Sequence, residues 1–89
     1  MKFKYISDPG HGWLEAPMHL VNELGIAESI SSYSYMSQDG RTAYLEEDCD
    51  APKFKKAYEA SGRKFEYYEQ VIPNGEAFVR RLGGFRKVN

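Results

Sequence analysis

The sequence is poor in the features that most often announce a function. It has one cysteine, Cys49, so no internal disulfide can form, and no paired-cysteine spacing of a zinc site occurs. Its two histidines, His11 and His19, make no HxH or HExxH pattern. His11, His19, Asp48, Cys49 and Asp50 therefore have no local structure that places two of them together, and no metal and no cofactor are expected. No apolar run approaches the roughly 18 residues that a membrane helix needs. The opening MKFKYISDPG also lacks the hydrophobic stretch of a signal peptide. A cytoplasmic protein without membrane contact is the expectation, and the lone cysteine suits a reducing compartment. Gly10-His11-Gly12 lacks the later glycine and lysine of a phosphate-cradling loop. No linker, repeat or low-complexity tract divides the 89 residues, so residues 1–89 read as a single domain with a small core.

Two features are abundant. Seven Tyr, five Phe and one Trp favour strands and also suit contact surfaces, where an apolar ring carries a polar handle. Charge is divided along the chain. Residues 1–50 hold three basic and nine acidic side chains, a net of about −6, whereas residues 51–89 hold nine basic and four acidic ones, about +5. Either the halves meet inside one domain and neutralise each other, or the molecule has an acidic and a basic face. The second arrangement would favour a homodimer or an anionic ligand.

Lys2–Ser7 alternates as a strand, Asp8-Pro9-Gly10 is turn chemistry with the glycine at a positive φ, and Gly12–Ala16 returns as a second strand. Pro17 opens a short helix over Met18–Leu24 that Gly25 stops, with Ile26 folding back on Val21. Asp39-Gly40 predicts a two-residue hairpin turn that pairs Met36 with Ala43, Tyr35 with Tyr44, Ser34 with Leu45 and Tyr33 with Glu46. That register puts Tyr33, Tyr35 and Tyr44 together on the face away from the helices. Asp48 and Asp50 cap a second helix whose inner face is Phe54, Ala57, Tyr58 and Ser61, ending at Gly62. Lys64–Ile72 reads as a strand. Ala77–Leu82 fits either a strand or a helical turn, and the strand is favoured. The expected fold is α+β: a mainly antiparallel sheet with two short helices on one face, in the order ββαββαβ with a possible last strand.

Chemistry is harder to assign. His11, just past a tight turn, could act as a base with Asp8 orienting it or with Glu15, but no nucleophile stands at a recognisable spacing. Cys49 near a helix start could be a nucleophile, yet its flanking carboxylates disfavour the thiolate. Arg63, Lys64, Arg80, Arg81, Arg86 and Lys87, interleaved with Tyr67, Tyr68, Phe78 and Phe85, could hold a nucleotide by stacking and phosphate contact. Net acidity argues against long nucleic acid.

The succession DPGHGWLE, LGIAESISSYSY and YLEEDCDAPKF, spanning roughly residues 3–58, resembles small proteins of bacteriophages, prophages and plasmids that have no assigned activity. The resemblance implies an accessory protein that acts on host machinery by binding, as anti-defence inhibitors and nucleotide sponges do. It transfers no functional residue. The expectation is a non-catalytic binding protein that inhibits a host protein or sequesters a small anionic ligand such as a nucleotide. The alternatives are a nucleotide or nucleic-acid module and, last, a His11-dependent hydrolase. The expected contact residues are His11, Trp13, Tyr33, Tyr35, Tyr44, Arg63, Arg80 and Arg81.

Overall fold

The computed structural model describes residues 1–85; Arg86 and Lys87 of the expected basic set lie outside them. A six-stranded sheet runs in the order β5-β1-β2-β4-β3-β6. Its strands are β1 (Lys2–Ser7), β2 (Gly12–Pro17), β3 (Tyr35–Met36), β4 (Thr42–Glu46), β5 (Glu66–Val71) and β6 (Gly83–Gly84). Helix α1 (Met18–Glu23) connects β2 to β3, and α2 (Ala51–Ala60) connects β4 to β5. The α+β class and the element order are as the sequence predicts. The sheet is not wholly antiparallel, because β5 runs parallel to β1 with Phe3 opposite Tyr67. A helix between two strands returns the chain to the end where it began, so the strand after α2 shares the direction of β4 and hence of β1.

Both helices cover one face. Phe3, Leu14, Ala16, Ala43 and Leu45 meet Leu20 and Val21 of α1 and Phe54 and Tyr58 of α2 in one buried cluster. Phe3 lies edge-on to Phe54 and Tyr58, with ring centroids 5.2 and 5.1 Å away. Of the four expected inner positions of α2, Phe54 and Tyr58 are buried, Ala57 is half-buried and Ser61 is exposed. Gly25 and Gly62 end the two helices with φ of 72° and 88°. The Ile26 N–H bonds back to the Val21 carbonyl at 3.3 Å, the closure that the glycine permits.

The central hairpin keeps its predicted register, with Tyr35 opposite Tyr44 and Met36 opposite Ala43, but not its predicted turn. Only Gly40 has positive φ, whereas a two-residue Asp-Gly turn needs both residues there. The loop instead closes at Ser37 and Thr42, with Gly40 N–H on the Ser37 carbonyl and Asp39 accepting from the Arg41 N–H and the Ser37 hydroxyl. The change is symmetric about the same centre, so the pairing survives it.

Further from the turn the expected pairing fails. β3 is two residues long, and Ser34 and Tyr33 leave the ladder. The cause is Asp50, which does not cap α2 by its side chain. Its fully buried carboxylate instead accepts the Ser31 N–H and hydroxyl, the Ser34 hydroxyl and the Lys53 ammonium. Ser34 Oγ in turn accepts the Glu46 N–H at 2.9 Å, replacing a strand carbonyl. Burial pushes the Asp50 carboxyl up, but the Ser31 and Ser34 hydroxyls and Lys53 outweigh it and the net direction is down. Asp48 does not cap α2 either. Its N–H and that of Cys49 donate to Glu46 Oε1 at 3.0 and 2.8 Å.

Asp50→Ala leaves the buried Ser34 hydroxyl and Ser31 N–H without their acceptor. It is expected to cost about 3 kcal/mol of unfolding free energy in urea. Lys53→Ala, which loses a half-exposed ion pair, is expected to cost less than about 1 kcal/mol. Equal losses would show that Asp50 acts only as the partner of Lys53.

Candidate functional site: an aromatic and acidic cleft

The second face of the sheet carries a second buried cluster of Ile6, Trp13, Tyr44, Ala77 and Val79. The cover is the segment that alternation assigned to a strand. Residues Phe78–Arg81 form a 3₁₀ turn, with Arg80 N–H on the Ala77 carbonyl and Leu82 N–H on that of Val79. The reason is Asp8. Its Oδ2 accepts the Ala77 N–H at 2.9 Å and Arg80 Nε at 2.7 Å, and its Oδ1 accepts Arg80 Nη2 at 2.8 Å. In a strand, residues 77 and 80 would stand about 10 Å apart on opposite faces, so one carboxylate could not reach both. A turn of three residues brings them to one side.

The same carboxylate builds the DPGHG turn. Asp8 Oδ1 accepts the Gly10 and His11 N–H groups at 2.9 and 3.0 Å. Asp8 therefore anchors backbone and guanidinium, and these bonds do not orient the His11 ring. The expected positive φ at Gly10 is absent. The two glycines answer to crowding instead. A Cβ on Gly10 would stand 2.6 Å from Arg80 Nη2, and one on Gly12 would overlap the Tyr5 phenol.

Beside this tether lies a cleft of about 290 Å³ lined by His11, Trp13, Tyr33, Tyr35, Glu46, Asp48, Cys49 and Arg80. Five of the eight expected contact residues thus come together. Trp13 forms the floor and is only 2% exposed, so its part is to support the wall rather than to project. The Arg80 guanidinium lies over its ring at 5.3 Å, Tyr35 meets it edge-on at 6.2 Å, and the His11 ring lies 6.1 Å away. Tyr33, released from the ladder, is 67% exposed at the lip.

The other three expected residues lie elsewhere. Tyr44 does not join an open tyrosine face. It is 7% exposed beneath the 3₁₀ turn, with Phe78 edge-on at 5.5 Å. Its phenol is pushed up to about 12 by burial and then by the Glu15 carboxylate. Arg63 pairs with Glu23 and lies over the Tyr58 ring on the helical side. Arg81 borders a separate groove with Met36, Gln38 and Leu82. The ion pairs Arg63–Glu23 and Arg80–Asp8 join the basic half of the chain to the acidic half, so charge division supplies no argument for a dimer.

The sequence did not mark Glu46, Asp48 or Cys49 as cleft residues, nor the reach of Asp8 to residues 77 and 80. An Asp before Pro-Gly signals a turn, and nothing in the sequence reveals that its carboxylate also meets residues 77 and 80. The Cys49 thiol is pushed up by burial and then by Glu46 and Asp50. A higher thiol pKa makes it a weaker nucleophile at neutral pH. A second, more apolar cleft of about 370 Å³ opens on the helical face between Tyr5, Phe65, Tyr67 and the start of α2. There the Tyr5 hydroxyl donates to Glu47 at 2.7 Å, and burial followed by this carboxylate raises its pKa. No helix among the described residues is long and apolar enough to cross a membrane. Comparison with known proteins finds no matching family model, no similar curated protein and no similar solved structure.

The Arg80 guanidinium first, and then the Ala77 N–H, hold the Asp8 carboxyl well below the usual carboxylate range. A depressed folded-state pKa means that the ionised form favours folding. The stabilisation is complete above the unfolded pKa of about 4 and is lost as pH falls further, toward the folded value. Thermal melts from pH 7 to pH 2 are expected to show the wild-type midpoint falling below about pH 4. Asp8→Asn is expected to melt lower at pH 7 and to show a shallower acid limb. An acid limb of the same slope in Asp8→Asn would remove Asp8 as its source.

Proposed function

We propose that the chain is a non-catalytic binding protein whose aromatic and acidic cleft receives a cationic side chain of a partner protein. The observation that carries this reading is the pairing of Arg80 with Asp8. It satisfies the one guanidinium in the cleft from within. What remains to face a ligand is Glu46 and Asp48, which line the cleft together with Tyr33 and Tyr35. Carboxylates beside aromatic faces attract a Lys or Arg by charge and by cation–π contact. The exposed ring of Tyr33 at the lip has the character of a contact that dominates binding energy.

The same geometry weighs against the alternatives. An anionic ligand would need converging cations, yet Arg63, Arg80 and Arg81 stand in three different places, and the first two are paired. A hydrolase built on His11 would need Asp8 or Glu15 to assist the imidazole, but the hydrogen bonds of Asp8 go to backbone and to Arg80, and Glu15 stands opposite Tyr44. In the setting that the resemblance to bacteriophage proteins implies, the partner is a host protein in the cytoplasm, and the chain acts by occluding it.

Capture from host lysate on immobilised chain, followed by mass spectrometry of retained proteins and small molecules, tests the reading. One protein is expected, released by raised salt. Tyr33→Ala is expected to weaken it by about thirtyfold, and Asp48→Lys to abolish it. Retention unchanged by both substitutions would sink the cleft as the contact site. A retained nucleotide that Arg80→Ala with Arg81→Ala releases would move the assignment to the anionic-ligand alternative.

A further inference from the structure

At one rim of the sheet the acidic run after β4 meets the turn between β1 and β2. Glu46 stands opposite Trp13 in the β2–β4 ladder, and the Glu47 N–H donates to the Gly12 carbonyl at 3.0 Å. These bonds pin the end of β4 beside His11. One donor atom each from His11, Glu46 and Glu47 then lies within 4.8 Å of the others. Neighbours in sequence on a strand point to opposite faces, so a single ligand is ordinarily out of reach of both. Here the strand ends at Glu46, and one oxygen of each glutamate nevertheless comes within 4.8 Å of the other and of a His11 nitrogen.

Charge gives a second, independent pointer. Glu46 is 9% exposed and, among the described residues, has no cation within ion-pair distance. The nearby cations are committed elsewhere, Arg80 to Asp8 and Lys53 to Asp50. Backbone N–H groups satisfy one oxygen of Glu46, and the charge of a buried carboxylate is normally met by a cation or a metal as well.

We propose that His11, Glu46 and Glu47 form a binding site for a divalent transition-metal ion, with zinc the best fit. One imidazole nitrogen and two carboxylate oxygens suit zinc, whereas magnesium favours oxygen ligands alone. The carboxylates also have the outer support that metal ligands need. Glu46 Oε1 accepts the Asp48 and Cys49 N–H groups, and Glu47 Oε2 accepts the Tyr5 hydroxyl.

Tetrahedral zinc holds its donors roughly 3.3 Å apart, inside the 4.8 Å within which the three donor atoms lie. The exposed His11 has the most freedom to close that distance, while Glu46 is anchored by two backbone N–H groups and Glu47 by the Tyr5 hydroxyl. Three protein ligands leave a fourth position to water. The spacing patterns of local zinc motifs cannot reveal this set, because His11 and the glutamates come from separate segments.

The inference does not depend on the partner reading, because metal binding is measured on the purified chain alone. Calorimetric titration with zinc chloride is expected to show one saturable site, and magnesium chloride none. Cobalt(II) chloride is expected to give the visible absorption of a four-coordinate ion. His11→Ala, Glu46→Gln and Glu47→Gln should each weaken zinc by at least about tenfold, with melting curves confirming that each variant is folded. His19→Ala, which changes an exposed histidine of α1, should leave binding unchanged. Absence of saturable zinc binding, or equal affinity in His11→Ala and the parent chain, would overturn the proposal. Zinc binding lost in His11→Ala while the partner is still captured would separate this site from the contact surface.

Discussion

One carboxylate organises the half of the molecule that the helices do not cover. Asp8 receives five hydrogen bonds, two from its own turn and three from Ala77 and Arg80. Those five bonds do two separate things. They shape the DPGHG corner that presents His11, and they clamp a distant 3₁₀ turn over Trp13 and Tyr44. Without the clamp, the second face of the sheet would expose Ile6, Trp13 and Tyr44 as an open apolar surface. With it, the cleft beside the clamp has a floor, a wall and a defined charge.

That charge follows from pairing rather than from composition. Arg80 stands in the cleft, yet its guanidinium is bonded side-on to Asp8, which leaves Glu46 and Asp48 to set the sign. A basic residue in a pocket is therefore a poor indicator of an anionic ligand until its partner is known. Asp50 does the equivalent work on the other side of β4. By collecting the hydroxyls of Ser31 and Ser34 it delays the start of β3 to Tyr35, and the late start is what sends Tyr33 to the surface. Two buried acids thus decide which aromatic rings reach the cleft and the surface. The same accounting leaves Glu46 without a protein cation among the described residues, and that shortage links the cleft to the adjoining metal site.

Much of the framework was legible in the residues. Alternation in Lys2–Ser7 and Thr42–Glu46, proline at the helix starts and glycine at their ends report on local backbone preference, which acts over a few residues. The register at Tyr35 and Tyr44 also survived, because it depends on the centre of the hairpin and not on the type of turn. Of the expected contact residues, His11, Trp13, Tyr33, Tyr35 and Arg80 share one cleft. The idea that placed Tyr44 with them failed, because alternation assigns a face and says nothing of what covers it. The strand assigned to Ala77–Leu82 failed for a related reason. Six residues that fit two periods are decided by their tether, and the tether lies at residue 8.

By itself, then, the sequence determined the order of elements, the ends of the helices and the inward faces of the central strands, since each of these is settled by dihedral preference and by the period of apolar residues. Only the tertiary structure decided which carboxylates are paired, which tyrosines meet solvent and that His11 stands beside Glu46 and Glu47. Those outcomes require segments far apart in the chain to meet, and the free energy of an ion pair, a capped backbone group or a cluster of metal ligands exists only once they have met.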